Sequence, residues 1–423
     1  MSTTLALISF ALLGAPLFII FGAIALYSFF HADIDTSAIM IEFYRMASAP
    51  TLITIPLFTF AGYLMAESGT PKRLVNLAQS VLGWLPGGLA IVTIFSCAFF
   101  TAFTGASGVT IIALGGLMYP ILMREKYDDR FSMGLVTSCG SLGLLFPPSL
   151  PLILYGLIAN VNIDKLFLAG IIPGFVLVAA LSLYGIYFGS KKGVHRVPFV
   201  WKNVWKSLKE AAWEAPLPFI ILGGIYGGFI TASEAAAVTA FYVLMVEVFI
   251  YRDLKLFGDV PRIIRESMLL VGGILIILGV AMGMTNYLVD ARVPMKLFEW
   301  VSQYISSKIM FLVLLNIFLL IVGCLMDIFS ATIVVVPLIT PIAYKYGVNP
   351  VHLGIIFLTN LEIGYLTPPV GLNLFISSFR FGRSIIELYR IAIPYLIILL
   401  VCLIIITYVP WMSTFLVDLL QAK

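Results

Sequence analysis

Three stretches of this chain, Leu5 to Phe30, Ile163 to Gly189 and Ile391 to Leu416, exceed the ~20 apolar residues that cross a bilayer, and they carry almost no charge. With 61% hydrophobic and 11% charged residues and a mean hydropathy of +1.07, the 423-residue sequence has too much apolar surface for one aqueous core. The composition predicts an all-α polytopic membrane protein with about ten crossings. The first run lacks a basic leader and a small-residue cleavage site, so it reads as a retained helix and not a signal peptide. Cys97, Cys139, Cys324 and Cys402 lie in apolar segments without metal or redox spacing, which makes them core fillers. A formal charge of +4 is too small and too confined to loops to suggest nucleic-acid binding.

Basic residues collect in cytoplasmic loops. The loop from Lys191 to Lys209 holds Lys191, Lys192, Arg196, Lys202, Lys206 and Lys209, and counting crossings outward from it places 18 of the 25 basic residues inside. The seven outside are Arg45, Lys165, Arg292, Lys296, Lys308, Lys345 and Lys423. Within the loop, Trp201, Val204, Trp205, Leu208 and Ala212 recur at helical spacing, with Lys202, Lys206 and Lys209 on another face. That pattern fits an interfacial helix lying on the headgroups; the plainer alternative is a solvated linker.

Residues near 50 to 175 repeat near 270 to 395 at an offset of about 221. Tyr119-Pro120 falls on Thr340-Pro341, Gly143 through Pro147-Pro148 on Gly364 through Pro368-Pro369, and Pro173 on Pro394. Gly134 lies near Gly354, and Pro71 to Leu74 resembles Pro294 to Leu297 with a small drift. An odd number of crossings between the copies turns the second upside down, and inverted-topology repeats mark transporters that alternate access around a midplane site. The implied organisation is a membrane helix and interfacial arm over 1–49; a first repeat over 50–190 with a re-entrant helical hairpin 88–123 and a broken helix 131–160; a basic interfacial helix and scaffold helices over 191–265; and a second repeat over 266–423 with a hairpin 309–344 and a broken helix 350–379.

The first hairpin turns through Thr104-Gly105-Ala106-Ser107-Gly108; the second passes Gly323, Asp327 and Ser330 without a Gly-rich tip. The broken helices interrupt at Gly140-Ser141-Leu142-Gly143 with Pro147-Pro148-Ser149, and at Gly364-Tyr365-Leu366-Thr367-Pro368-Pro369, because paired prolines remove amide donors. Unwound backbone at that depth must be buried or line a cavity, where a dehydrated cation can satisfy its carbonyls. Gly105, Gly140, Gly143, Pro147, Gly323 and Gly364, with the hydroxyls of Ser107, Ser141 and Thr367 and the carboxylate of Asp327, form the candidate cation set. Half-helix N-termini beside them favour an anion. The alternative is that the small residues only permit close helix packing. Asp327 and Glu362 are acids in apolar surroundings, where each needs a partner or a proton; Asp327 also fits a helix cap, as does Glu234 after Thr231.

These motifs resemble those of the large membrane subunit of tripartite ATP-independent periplasmic (TRAP) transporters. The similarity extends to Ile55-Pro56-Leu57-Phe58 with Ala61-Gly62, Leu166 to Gly170 with Pro173-Gly174, and Thr231-Ala232-Ser233-Glu234-Ala235, and covers nearly the whole chain. The resemblance implies an elevator-type importer in a bacterial inner membrane, driven by Na+ as coupling ion. It further implies a soluble periplasmic substrate-binding protein and a small four-helix membrane subunit, here a separate chain, as partners. The implied substrates are small organic carboxylates such as C4-dicarboxylates, sialic acid or other sugar acids. With no Lys or Arg at either break, the substrate would be held by backbone dipoles and by Thr104, Ser107, Ser149, Asn360 and Thr367.

Two rival readings remain. A stand-alone ion-coupled anion transporter or channel would use the same repeats. Gly105-Ala106-Ser107-Gly108 also fits a GxSG intramembrane protease, which would need a histidine base from His31, His195 or His352. No Walker motif is present, so an ion gradient must supply the energy.

Overall fold

The computed structural model describes residues 15–192 and 198–421, so the start of the Leu5–Phe30 run, His195, Arg196 and Lys423 lie outside the described residues. All regular structure among the described residues is helical, as lipid solvent requires of a chain that satisfies its backbone within each segment. The first group comprises α1 (Leu17–His31), α2 (Ser37–Ala47) and α3 (Thr54–Glu67). The first repeat continues with α4 (Thr70–Leu82), α5 (Gly88–Thr104), α6 (Ser107–Arg124), α7 (Asp129–Cys139), α8 (Leu150–Ala159) and α9 (Ile163–Lys192). A middle group holds α10 (Trp201–Glu210), α11 (Leu217–Tyr226), α12 (Ala232–Met245) and α13 (Asp259–Asp290).

The order then recurs. Helices α14 (Val293–Tyr304), α15 (Lys308–Leu325), α16 (Ile328–Lys345), α17 (Pro350–Gly364), α18 (Leu372–Phe381) and α19 (Ile385–Tyr408) follow α4 to α9 in length and break position, and α20 (Trp411–Gln421) closes the chain. Caps recur too. Asp128 Oδ1 accepts from the amides of Arg130 and Phe131 at 3.0 and 3.2 Å, and Asn349 Oδ1 from Val351 and His352 at 2.9 and 3.3 Å. Each satisfies the first orphan donors of its broken helix. Pro120 and Pro341, and Pro173 and Pro394, stand inside helices at matching positions.

Among the described residues, seven helices are long and apolar enough to cross a membrane, or up to nine if two bent pairs each count as one span. The count is lower than the ten or so expected because five further apolar helices among the described residues are only 10–17 residues long, among them α5 and α17 with 17 and 15 residues. At 1.5 Å per residue these reach about 25 and 22 Å, short of a ~30 Å hydrocarbon core. One bent pair is α2 with Pro50–Glu67, at 66°; the other joins Asp129–Leu145 to Leu150–Ala159 at 44°.

Both hairpins reverse direction. Thr101 Oγ1 in α5 lies 2.7 Å from Thr110 Oγ1 in α6, whereas nine residues along a straight helix would separate them by about 13 Å. At the base of the second, Lys308 Nζ donates to the Gly347 carbonyl at 2.7 Å and the rings of Phe311 and Tyr346 stack at 4.5 Å. Around these, α3 packs on α12 and α5, α13 on α1, α2 and α3, α8 on α16, and α15 on α17. Thr231 caps α12 in a reciprocal capping box with Glu234, and all four cysteines are buried thiols.

Candidate functional site

The first break begins where α7 stops at Gly140 and the chain passes through a tight turn at Leu142–Leu145 before the Pro147-Pro148 pair. Hairpin one is fitted onto it. Thr101 Oγ1 lies 2.9 Å from the Gly140 carbonyl. A Cβ on Gly143 would stand 2.2 Å from the Ala98 carbonyl oxygen and 2.5 Å from the Ala102 amide, so only glycine allows the approach. At the tip, Thr104 ends α5 with a buried hydroxyl that has no partner. Gly105 turns the chain at φ +63°, and Ser107 opens α6, buried. Pro147 is enclosed, and buried Ser149 turns its hydroxyl onto the Leu144 carbonyl.

The second break repeats the contact. A Cβ on Gly364 would stand 2.5 Å from the Gly323 carbonyl carbon, and Gly323 occupies the place that Ala102 holds in the first copy. Thr367 Oγ1 folds back to the Ile363 carbonyl at 3.1 Å. Asp327 caps α16, its Oδ1 accepting from the amides of Phe329 and Ser330 at 3.0 Å each, and it is exposed.

The two breaks meet inside the molecule. Ser141 Oγ lies 3.5 Å from the Glu362 carbonyl, the residue 221 positions away. Asn373, at the start of α18, bridges the halves. Its Nδ2 lies 3.3 Å from both the Thr137 carbonyl and Ser141 Oγ, and one turn on Thr137 Oγ1 donates to Ser377 Oγ at 2.9 Å. Ser138 Oγ, Asn373 Oδ1 and both carboxyl oxygens of Glu362 are buried without a partner. Asn373 is absent from the residues expected above. Its signal was legible as an amide two residues past Gly371, directly after the second break.

Asn360 goes elsewhere. It donates to Asn316 Oδ1 at 2.7 Å, and Asn316 donates to Thr407 Oγ1 at 3.2 Å, a buried tie between α15, α17 and α19. Thr104, Gly105, Ser107, Gly140, Ser141, Gly143, Pro147 and Ser149 therefore gather at the first break, Gly323, Asp327, Gly364 and Thr367 at the second, and Asn360 one turn away.

Chemically this is an oxygen-rich, cation-poor site. The Gly140, Gly143 and Gly364 carbonyls each accept one hydrogen bond from the protein, leaving a second lone pair. Among the described residues no three His, Cys, Asp or Glu side chains converge on a metal position. Such neutral oxygens suit a hard monovalent cation better than a transition metal. The ring nitrogens of His352 face Ser413 Oγ and the Thr407 carbonyl at 3.1 Å each, and His31 Nδ1 faces the Tyr27 carbonyl. Neither pairs with Ser107, as a protease base would.

A family model described as "Tripartite ATP-independent periplasmic transporter, DctM component" matches residues 4–412. Over 98% of this chain and 96% of the relative, the sequence is 35% identical to a C4-dicarboxylate TRAP transporter large permease protein of Vibrio cholerae. It is 36% identical to an isethionate TRAP transporter permease protein of Oleidesulfovibrio alaskensis, over 96% of this chain and 64% of that one. Among solved structures, the YdaH transporter of Alcanivorax borkumensis superposes with a TM-score of 0.62 at 13% identity, covering 89% of this chain and 87% of the other. That likeness concerns the fold alone.

Proposed function

We infer that this multi-pass membrane protein, which belongs to the DctM family of TRAP transporter large permeases, imports a small organic anion across the bacterial inner membrane using a sodium gradient. Large permeases of this family work with a substrate-binding protein and usually a small membrane subunit. The binding protein acts in the periplasm. The chain acts as a transporter and not as an enzyme.

The observation that carries the reading is the contact of two pseudo-equivalent breaks at Ser141 and Glu362, beside buried oxygens that lack partners. Sodium takes the carbonyls and hydroxyls around Gly140, Ser141, Gly143 and Asn373 at the first break and those around Gly323, Gly364 and Thr367 at the second. The anion sits against the half-helix N-termini near Ser107, Ser149 and Thr367. Carboxylates are the preferred class, and the isethionate relative extends the panel to a sulfonate. Inverted repeats and an elevator movement of the hairpin-bearing helices supply alternating access.

The test is uptake of radiolabelled carboxylates and sulfonates into proteoliposomes holding this chain and its small subunit, with and without binding protein, under an inward sodium gradient. Uptake should need both sodium and binding protein. Asn373→Ala should raise the half-saturating sodium concentration, and Asn360→Ala should leave it unchanged. Sodium-independent uptake without binding protein would instead establish a stand-alone carrier.

A further inference from the structure

Helix α10 carries three stripes, and the structure shows what each one meets. Val204 is buried against α4. On the outer side Trp201 is 66% and Trp205 59% exposed, with Leu208 beside them. Their aromatic surface runs on through Phe199, 5.5 Å from Trp201, to Trp84, 6.5 Å from Phe199. Next to this stripe stand Lys202, Lys206 and Lys209, all exposed. Among the described residues Lys202 and Lys209 have no carboxylate partner, and Lys206 has only Glu210 at 3.9 Å. The third stripe, Asn203, Ser207 and Glu210, lines a cleft of about 320 Å³ with Asn76, Gln79 and Ser80 of α4, and Lys206 and Pro198 border the same cleft.

The helix cannot roll to hide its aromatic stripe. Beyond its C-terminus Ala211 and Glu214 are buried, and Glu214 is fixed to Arg73 of α4 at 2.5 Å. Arg73 is held in turn by Glu247 at 2.9 Å and Asp253 at 2.6 Å, and its guanidinium lies 3.8 Å from the centre of the Tyr251 ring. A rigid helix thus presents indoles beside a row of lysines, with a wet polar face on the opposite side. Indoles settle at the headgroup level of a bilayer, and lysines alongside them attract negative surface charge. A protein partner would be expected to place acids opposite the lysines, whereas anionic phospholipid supplies that charge at the depth where the indoles sit.

We propose that α10, together with Trp84 and Phe199, is a docking surface for anionic phospholipid headgroups, and that it holds α4, the helix leading into the first hairpin, at the membrane surface.

The test uses the full chain, with and without its small subunit, reconstituted in phosphatidylcholine vesicles with or without phosphatidylglycerol. A nitroxide is placed at Trp205→Cys or Ser207→Cys, the native cysteines being buried. The label at 205 should be open to oxygen and shielded from a water-soluble nickel relaxant, and the label at 207 the reverse. Quenching of tryptophan fluorescence by brominated lipids should show a preference for phosphatidylglycerol over phosphatidylcholine. That preference should fall by about a hundredfold in the Lys202→Gln/Lys206→Gln/Lys209→Gln variant, whose circular dichroism should stay unchanged. Three results would overturn the proposal: a label at 205 as water-exposed as that at 207, shielding that appears only when the small subunit is present, or a lipid preference that survives the triple substitution.

Discussion

The two repeats share their helix order, caps and broken-helix geometry, yet they are finished differently. In the first, the tip at Gly105–Ser107 and the break through Pro147–Ser149 are covered. In the second, Leu325 and Asp327 at the tip and Pro368, Pro369 and Val370 at the break are exposed. The contrast is sharpest at a matched pair: Ser149 is 0% exposed and Val370, 221 residues later, is 42% exposed. The entry helices differ in the same sense. Arg73 of α4 is held by Glu214, Glu247 and Asp253, while Lys296 at the matching place on α14 is exposed without a carboxylate partner among the described residues. Two similar sequences thus occupy one closed, anchored half and one open, loosely tied half. Under the alternating access proposed above, such an asymmetry is expected of a carrier resting in one of two states.

The largest expected effect is on accessibility. Val370→Cys should react quickly with a membrane-impermeant maleimide and Ser149→Cys hardly at all, and conditions that favour the opposite state should exchange the two rates. If both positions react alike in every condition, the two halves do not alternate. Next comes anchoring. Arg73→Gln leaves buried carboxylates without their cation and should cost about 3–5 kcal/mol in denaturation of the purified protein, against less than ~0.5 kcal/mol for the exposed Lys296→Gln. Equal losses would remove the asymmetry between the entry helices.

The smallest effect is on pH. Burial raises the Glu214 carboxyl above its unfolded value of 4.5, with the Arg73 guanidinium opposing the rise. A raised pKa means that the folded state holds the proton more tightly. The Glu214 contribution is therefore full below the unfolded value and is lost as pH rises through the folded one. Melting temperatures measured across that range should show this decline, and Glu214→Gln should flatten it.

Much of the architecture was legible in the order of residues. Apolar runs declared a lipid solvent, and Gly/Pro clusters marked where helices must stop, because a missing amide donor acts locally whatever lies nearby. The caps Asp128 and Asn349 were equally local and could have been read. Asp327 was legible both as a cap and as an ion ligand, and the structure shows its Oδ1 capping α16. Asn360 and Asn373 could not be told apart from sequence: each is the one amide side chain of its helix, and only packing turns one toward Asn316 and the other across to Ser141.

The sequence by itself therefore determined the all-helical membrane architecture, the duplication and the places where its helices break, since these follow from hydropathy, spacing and backbone chemistry within a few residues. The tertiary structure alone decided which half is covered, which acids 141 to 180 residues away hold Arg73, and that the two breaks touch at Ser141 and Glu362. The physical reason is that hydropathy, spacing and proline chemistry act within a few residues, whereas burial and ion pairing depend on contacts made over long sequence distances.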